Sequence, residues 1–296
     1  MQLKNSNLKI DFDGQHFTFD LDTSKQRKIT SRRFPNLIGE NQWNSVGSEI
    51  LDMFYQIESE AFDNYYTIRG LVAEDIAEKY LKQWVKSQKG IDVEIKHFAP
   101  QDFKGYDQFS TNQFFGGVVD IAIVAPKEER SITEVKGKNI KKLAEVEKER
   151  PSEEVRQGEQ LAYMSVVPKY NMLYVFFNDL QEQRMKNMAD KIIASGKKIG
   201  DVCYKDKDAI IKVLSISIND VEVRLYPYEL NRLETEQRMK KAYMEVMEFK
   251  KSKKIHVSKF TMEETNYLKS FGKKPLSDDE LFKKYIEDSK NETFKL

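Results

Sequence analysis

Cysteine is almost missing from this chain: Cys203 is the only one in 296 residues. That excludes an internal disulfide and any zinc or iron–sulfur centre built on several thiolates. The three histidines, His16, His97 and His256, fall in no spacing that suggests a zinc site or a catalytic triad. There is no long uninterrupted apolar run, which speaks against a membrane span, and "MQLKNSNLKIDFDG" lacks the apolar core of a secretory signal. A cytoplasmic protein is the expectation. No GxxxxGK(S/T) phosphate loop occurs, so no ATP site is expected. Nor is charge of one sign in excess, because 49 basic and 48 acidic side chains leave +1. A polyanionic partner would therefore need basic residues gathered locally, or metal ions to supply positive charge.

What is present is enough apolar residue, 40% of the chain, for a substantial core under a heavily charged surface. "NLKIDF" and "HFTFDL" alternate apolar and polar residues around "DGQ", as a β-hairpin does. "KITSRRFPNLIGENQW" reads as a mixed loop, and Leu51, Phe54, Tyr55 and Ile57 suggest a short helix. "YYTIRGLVAEDIAEKYLKQWVKS" is a long helix by its spacing. The centre turns to strands: "FFGGVVDIAIV", a turn at "APKEERS", and a return strand at "ITEVKG". A charged stretch, "KNIKKLAEVEKERPSEEV", leads to a helix through "VRQGEQLAYMSVV". "NMLYVFF" has the continuous apolar character of a buried strand. A helix from about Leu180 to Ala194, a strand pair at "IIKVLSISI" and "VEVRLY", and a helix from Glu229 to Lys251 follow. Past "KKSKK" come two short helical patterns around "FGKKPLSDD". The expected division is an N-terminal hairpin over 1–27, a main domain over 28–251 and a helical appendage over 252–296, with no internal repeat.

Chemistry gathers around Asp120 and "ITEVKG". Alternate residues of a strand share a face, so Glu134 and Lys136 point the same way, and a hairpin can set Asp120 beside Glu134. Two carboxylates that close repel unless a cation neutralises them, and Mg²⁺ or Mn²⁺ takes oxygen ligands. The Val135 carbonyl could add another oxygen. Lys136 would orient or help deprotonate an attacking water, while the ion polarises a phosphodiester. The bland alternative is a charged pair on the solvent face of a sheet. Two companions weigh against it. Glu74 lies on the long helix, four positions after Gly70, and could equally be a surface glutamate. Gln157, Gln160 and Tyr163 recur at steps of three on the helix after the strand, a polar edge by the simpler reading.

This order of parts resembles the PD-(D/E)xK nuclease superfamily, and within it the phage lambda exonuclease type of recombination nuclease, over roughly Lys28 to Lys251. "ITSRRF" is similar to the early Ser-containing segment, "RGLVAE" to the Gly-x-x-x-Glu helix, "GGVVDIAI" to the metal-binding aspartate strand and "ITEVKGK" to the ExK strand. "EQLAYM" resembles the Gln/Tyr helix, and "VEVRLYPYELNRLE" the closing strand and helix. Two departures are visible: Gln-x-x-Tyr replaces the commoner Gln-x-x-x-Tyr, so Gln157 competes with Gln160, and Val119 precedes the aspartate where the family name has proline.

The resemblance implies an α/β fold, with a restriction-endonuclease-like central mixed sheet flanked by helices. It makes Asp120, Glu134, the Val135 carbonyl and Glu74 the metal set, Lys136 the catalytic lysine, and Gln160 and Tyr163 the braces of the site. It implies Mg²⁺-dependent hydrolysis of DNA, with Mn²⁺ able to substitute, from the end of a duplex, in a bacterial or phage-infected cell. A ring of three copies and a single-strand annealing protein are the partners it suggests. Relatives carrying a four-cysteine iron–sulfur cluster are excluded by the single Cys203. Arg32, Arg69, Lys138 and Gln157 are the candidate DNA contacts, although lysines alternate with glutamates throughout and most are simply solvated. The alternatives are an endonuclease selective for structure or sequence, and a non-catalytic DNA-binding or assembly protein on the same fold.

Overall fold

The computed structural model describes residues 1–41, 43–58, 64–89, 94–124 and 130–271. The first hairpin forms as its alternation dictates, from β1 (Lys9–Phe12) and β2 (His16–Asp20). Gly14 takes φ +100° in its turn, and the Asp13 carboxylate accepts from the N–H groups of Gln15 and His16. The expected loop after it contains a two-residue strand, β3 (Ile29–Thr30), and a short helix, α1 (Phe34–Leu37), which carries Pro35 in its first turn and buries Phe34 and Leu37. Helix α2 (Val46–Met53) lies earlier than the helix expected around Leu51–Ile57. Ser45 caps it through the Ser48 N–H at 3.0 Å, and Tyr55, at φ +64°, stands outside it.

The long helix α3 (Tyr65–Lys89) buries Ile68, Val72, Ile76 and Leu81 along one face. Beyond β4 (Glu94–His97), the glycine-led run divides into β5 (Phe115–Gly116) and β6 (Ile121–Val124). Gly117, at φ +147°, interrupts it and leaves Asp120 just ahead of β6. Next are β7 (Ser131–Asn139), α4 (Leu143–Lys148), α5 (Ser152–Met164), β8 (Lys169–Phe177), α6 (Asp179–Ala194) and α7 (Ile199–Lys205). The strand expected at "IIKVLSISI" is instead α8 (Lys207–Leu214) followed by a 3₁₀ turn. Ile210 and Leu214 are one helical turn apart and both are buried, and Ser215 ends the helix in the left-handed region. A short β-branched run suits either structure, and tertiary burial decided this one. The remaining elements are β9 (Glu222–Glu229), α9 (Arg232–Ser252), β10 (Lys254–His256) and α10 (Met262–Ser270). Most of the expected "APKEERS" turn and the second helical pattern of the tail lie outside the described residues.

Five strands form the central mixed sheet, in the order β4-β6-β7-β8-β9. Within it only β7 and β8 run parallel; α4 and α5 form the crossover that such a pair requires. On one face Val135, Leu173, Val175 and Phe177 pack with α3, α6 and α7; on the other, Ile132, Met172, Tyr174 and Phe176 pack with α5. Strand β8 is covered on both faces, which explains its unbroken apolar sequence. A third core joins the first strands to the last described elements. β2 pairs with β10, and Phe17, Phe19, Phe249 and Phe260 meet beneath them. The hairpin and the start of the appendage, far apart in sequence, thus share one sheet and one core. No helix among the described residues is long and apolar enough to cross a membrane.

Candidate active site

The β6–β7 ladder ends with Ile121 opposite Thr133. One step further, the same register sets Asp120 opposite Glu134. There the side chain takes over from the backbone: Asp120 Oδ2 accepts the Val135 N–H at 2.8 Å. Glu134 is 7% exposed, and on its own face of β7 the Lys136 ammonium donates to Glu134 Oε1 at 2.8 Å. The same ammonium donates to Gln157 Oε1 on α5 at 2.7 Å, and Lys138 donates to Glu154 Oε1 at 2.6 Å. Strand and helix therefore lock two lysines and two acids into one row.

The electrostatics follow from this crowding. Burial, then Glu134, then Glu74 push the Asp120 carboxyl well above the usual carboxylate range. Burial also works against the Lys136 ammonium, but Glu134, Asp120 and Glu154 outweigh it and hold the proton on. Glu74 reaches this neighbourhood from α3. Its Oε2 lies 2.5 Å from Nε2 of His97 on β4, whose Nδ1 lies 3.4 Å from Nζ of Lys207.

Among the described residues, no group of three or more histidine, cysteine, aspartate or glutamate side chains stands ready to hold a metal ion. The acids are instead each engaged, Asp120 by the Val135 N–H, Glu134 by Lys136 and Glu74 by His97. The donor set nonetheless suits a hard divalent cation. It consists of carboxylate oxygens partly removed from water, and their mutual repulsion already raises Asp120.

Other residues of the sequence reading lie elsewhere. Gln160 is fully buried and donates to the Ile29 carbonyl at 3.0 Å, where it ties α5 to β3; its Oε1 has no hydrogen-bond partner. Tyr163 packs on the core shared by the first strands and the last described elements, with the Arg232 guanidinium 5.2 Å above its ring. Of the helix residues spaced by three, only Gln157 is bonded to the cluster. Each step of three falls short of a full turn by about 60°, so Gln160 and Tyr163 are carried progressively off the face. Arg32 is exposed just before α1, where its charge acts on Glu49. Arg69 pairs with Glu182 at 2.8 Å and lies 4.5 Å over the Tyr66 ring.

Arg69 and Lys138 face a cleft of about 1200 Å³ at the carboxyl end of β7, which also carries Trp43, Tyr66, Lys142 and Arg150. Five glutamates line it too, so its walls are of mixed charge. Glu154, His97 and Lys207 were not singled out as site residues in the sequence. Glu154, three residues before Gln157 and one turn away on the same helix, extended a pattern already noticed. His97 and Lys207 belong to no motif, and only the folded chain brings them to Glu74.

No family model matches the chain, and no curated protein matches it. Among solved structures it is similar to an alkaline exonuclease from Laribacter hongkongensis, at 10% identity and a TM-score of 0.45, over 83% of this chain and 93% of that one. It is also similar to a phage-related exonuclease from Haemophilus somnus 129PT, at 13% identity and a TM-score of 0.44, over 76% of this chain and 94% of that one.

Proposed function

We propose that this chain is a divalent-metal-dependent nuclease of the PD-(D/E)xK type, hydrolysing DNA phosphodiester bonds from a duplex end. The observation that carries the reading is Asp120 set opposite Glu134, with Lys136 bonded to Glu134 on the same face. Asp120 and Glu134, with the Val135 carbonyl and Glu74 beside them, would hold Mg²⁺ or Mn²⁺. When bound, the ion polarises the phosphodiester and neutralises charge on the leaving oxygen. Lys136, held on the same face by Glu134 and Gln157, would orient the attacking water and take part in its deprotonation. Gln157 keeps its nitrogen aimed at the reacting face. Lys138, Arg69 and the cleft at the carboxyl end of β7, which is lined by none of the proposed metal ligands, would hold the continuing substrate strand, with Trp43 and Tyr66 as ring faces for its bases.

A linear duplex and a covalently closed circle, each incubated with Mg²⁺, test this reading. Degradation of the linear DNA alone is expected, with complete loss of activity in EDTA. A nicked circle would point to an endonuclease instead, and no cleavage together with no Mg²⁺ or Mn²⁺ uptake would leave only a DNA-binding role. Any ring of three copies, and any annealing partner, belongs to the same proposal.

The two glutamines make a sharper comparison. Gln157→Ala removes a part-buried hydrogen bond to the Lys136 ammonium, about 1.5–3 kcal/mol for a bond to a charged group, so turnover should fall about 10- to 100-fold and the melting temperature should fall as well. Gln160→Ala should keep turnover and lower the melting temperature alone, since it removes the α5–β3 tie. Steady-state kinetics and thermal unfolding on both variants check the assignment.

A further inference from the structure

We infer that His97 is a positioning residue, which fixes Glu74 beside the Asp120–Glu134 pair, and that Lys207 sets the direction in which His97 works. The inference rests on the metal-site reading above. Three elements converge to make the contact: α3 supplies Glu74, β4 supplies His97, and α8 supplies Lys207 as its first residue. On β4, His97 pairs with Ile121, the residue that follows Asp120, so the β4 backbone is anchored beside the strand end that carries Asp120.

A lysine ammonium has hydrogens to give and no lone pair to receive one. With Lys207 Nζ at 3.4 Å, His97 Nδ1 is therefore the acceptor, and the ring hydrogen lies on Nε2. From there it is donated to Glu74 Oε2 at 2.5 Å. The imidazole and the carboxylate are 15% and 28% exposed, so water competes little for that bond. One oxygen of Glu74 is committed to the imidazole, which leaves the other for a cation. Loss of a partner that orients a ligating carboxylate in this way typically weakens metal binding by about 10- to 100-fold.

Calorimetric titration of the full chain with Mn²⁺ tests the role, using wild type, His97→Ala, His97→Gln and Lys207→Met. His97→Ala should bind Mn²⁺ about 10- to 100-fold more weakly, and the Mn²⁺ concentration for half-maximal cleavage should rise in step. His97→Gln, whose amide N–H can replace Nε2–H, should recover wild-type affinity. Lys207→Met should weaken binding in the same direction, and the ¹⁵N spectrum of its His97 should show the Nε2–H form losing ground to the Nδ1–H form. The DNA KM should remain near wild type in all three variants, and the melting temperature in His97→Gln. Wild-type Mn²⁺ affinity in His97→Ala, a His97→Gln variant as weak as His97→Ala, or an Nδ1–H imidazole in the wild type would each overturn the role while leaving the metal-site reading intact. A wild-type chain that takes up no Mn²⁺ would instead overturn both.

Discussion

Replacing Lys136 with methionine is expected to lower the DNA cleavage rate by about 10²- to 10⁴-fold, the usual contribution of a positioned proton-transfer group. Methionine retains most of the apolar stem, so the packing between β7 and α5 is largely kept. What is lost is the nitrogen that bridges Glu134 and Gln157. The same change leaves Glu134, 7% exposed, facing Asp120 without its counter-charge. Breaking a buried ion pair from one side is destabilising, so the variant should melt below wild type in EDTA. Saturating Mg²⁺ should restore much of that loss, because a ligand that binds only the folded chain stabilises it. Glu134→Gln should be equally inactive but should lack the recovery by Mg²⁺, since on the proposed function it removes an ion ligand along with the charge. Single-turnover cleavage and thermal unfolding, each with and without Mg²⁺, separate the two variants.

Asp120→Asn is expected to abolish metal-dependent cleavage and yet raise the stability of the metal-free protein. Asp120 sits against Glu134 and within the field of Glu74, and its carboxyl is raised well above the ordinary value by burial and by those charges. A group whose folded-state value is raised stabilises fully below its unfolded value, 3.8 for Asp120, and loses that contribution as pH climbs through the folded one. The Asp120 contribution should accordingly be lost as pH rises from the acid range through its raised value, against the opposite trend from lowered carboxylates such as Asp107. The amide that replaces the carboxyl has no charge to develop, so in the variant this part of the slope should disappear. A site that sacrifices stability to gather like charges for catalysis behaves in this way. Thermal unfolding in EDTA across that pH range measures it. A wild-type profile no steeper than that of Asp120→Asn would remove the electrostatic part of the account.

The elements with the strongest pattern were legible in the sequence: the long helix around Glu74, the hairpin at β1–β2, the return strand with Glu134 and Lys136, and the unbroken apolar strand β8. Alternation and helical spacing encode these directly, because each side chain needs only to choose the buried or the exposed face. The opposition of Asp120 and Glu134 was legible too, since a hairpin leaves few registers. Elements without a period of their own were not. "IIKVLSISI" suits a strand as well as a helix, and it became α8 because Ile210 and Leu214 fill the core on that side. In the site itself, Gln157 and Gln160 could not be told apart by residue type. Their separation of about 60° around the helix axis directs one to Lys136 and the other to the Ile29 carbonyl. His97 was invisible for a different reason. Its partners Glu74 and Lys207 are 23 and 110 residues away in sequence, and no local pattern records such a meeting.

The most direct test is a crystal structure of the full chain grown with Mn²⁺ and measured at an anomalous wavelength. The account predicts a single strong anomalous peak in coordination distance of both Asp120 and Glu134, with the Lys136 nitrogen released from Glu134. An absent peak, or one elsewhere with Asp120 still on the Val135 N–H and Lys136 still on Glu134, would contradict it.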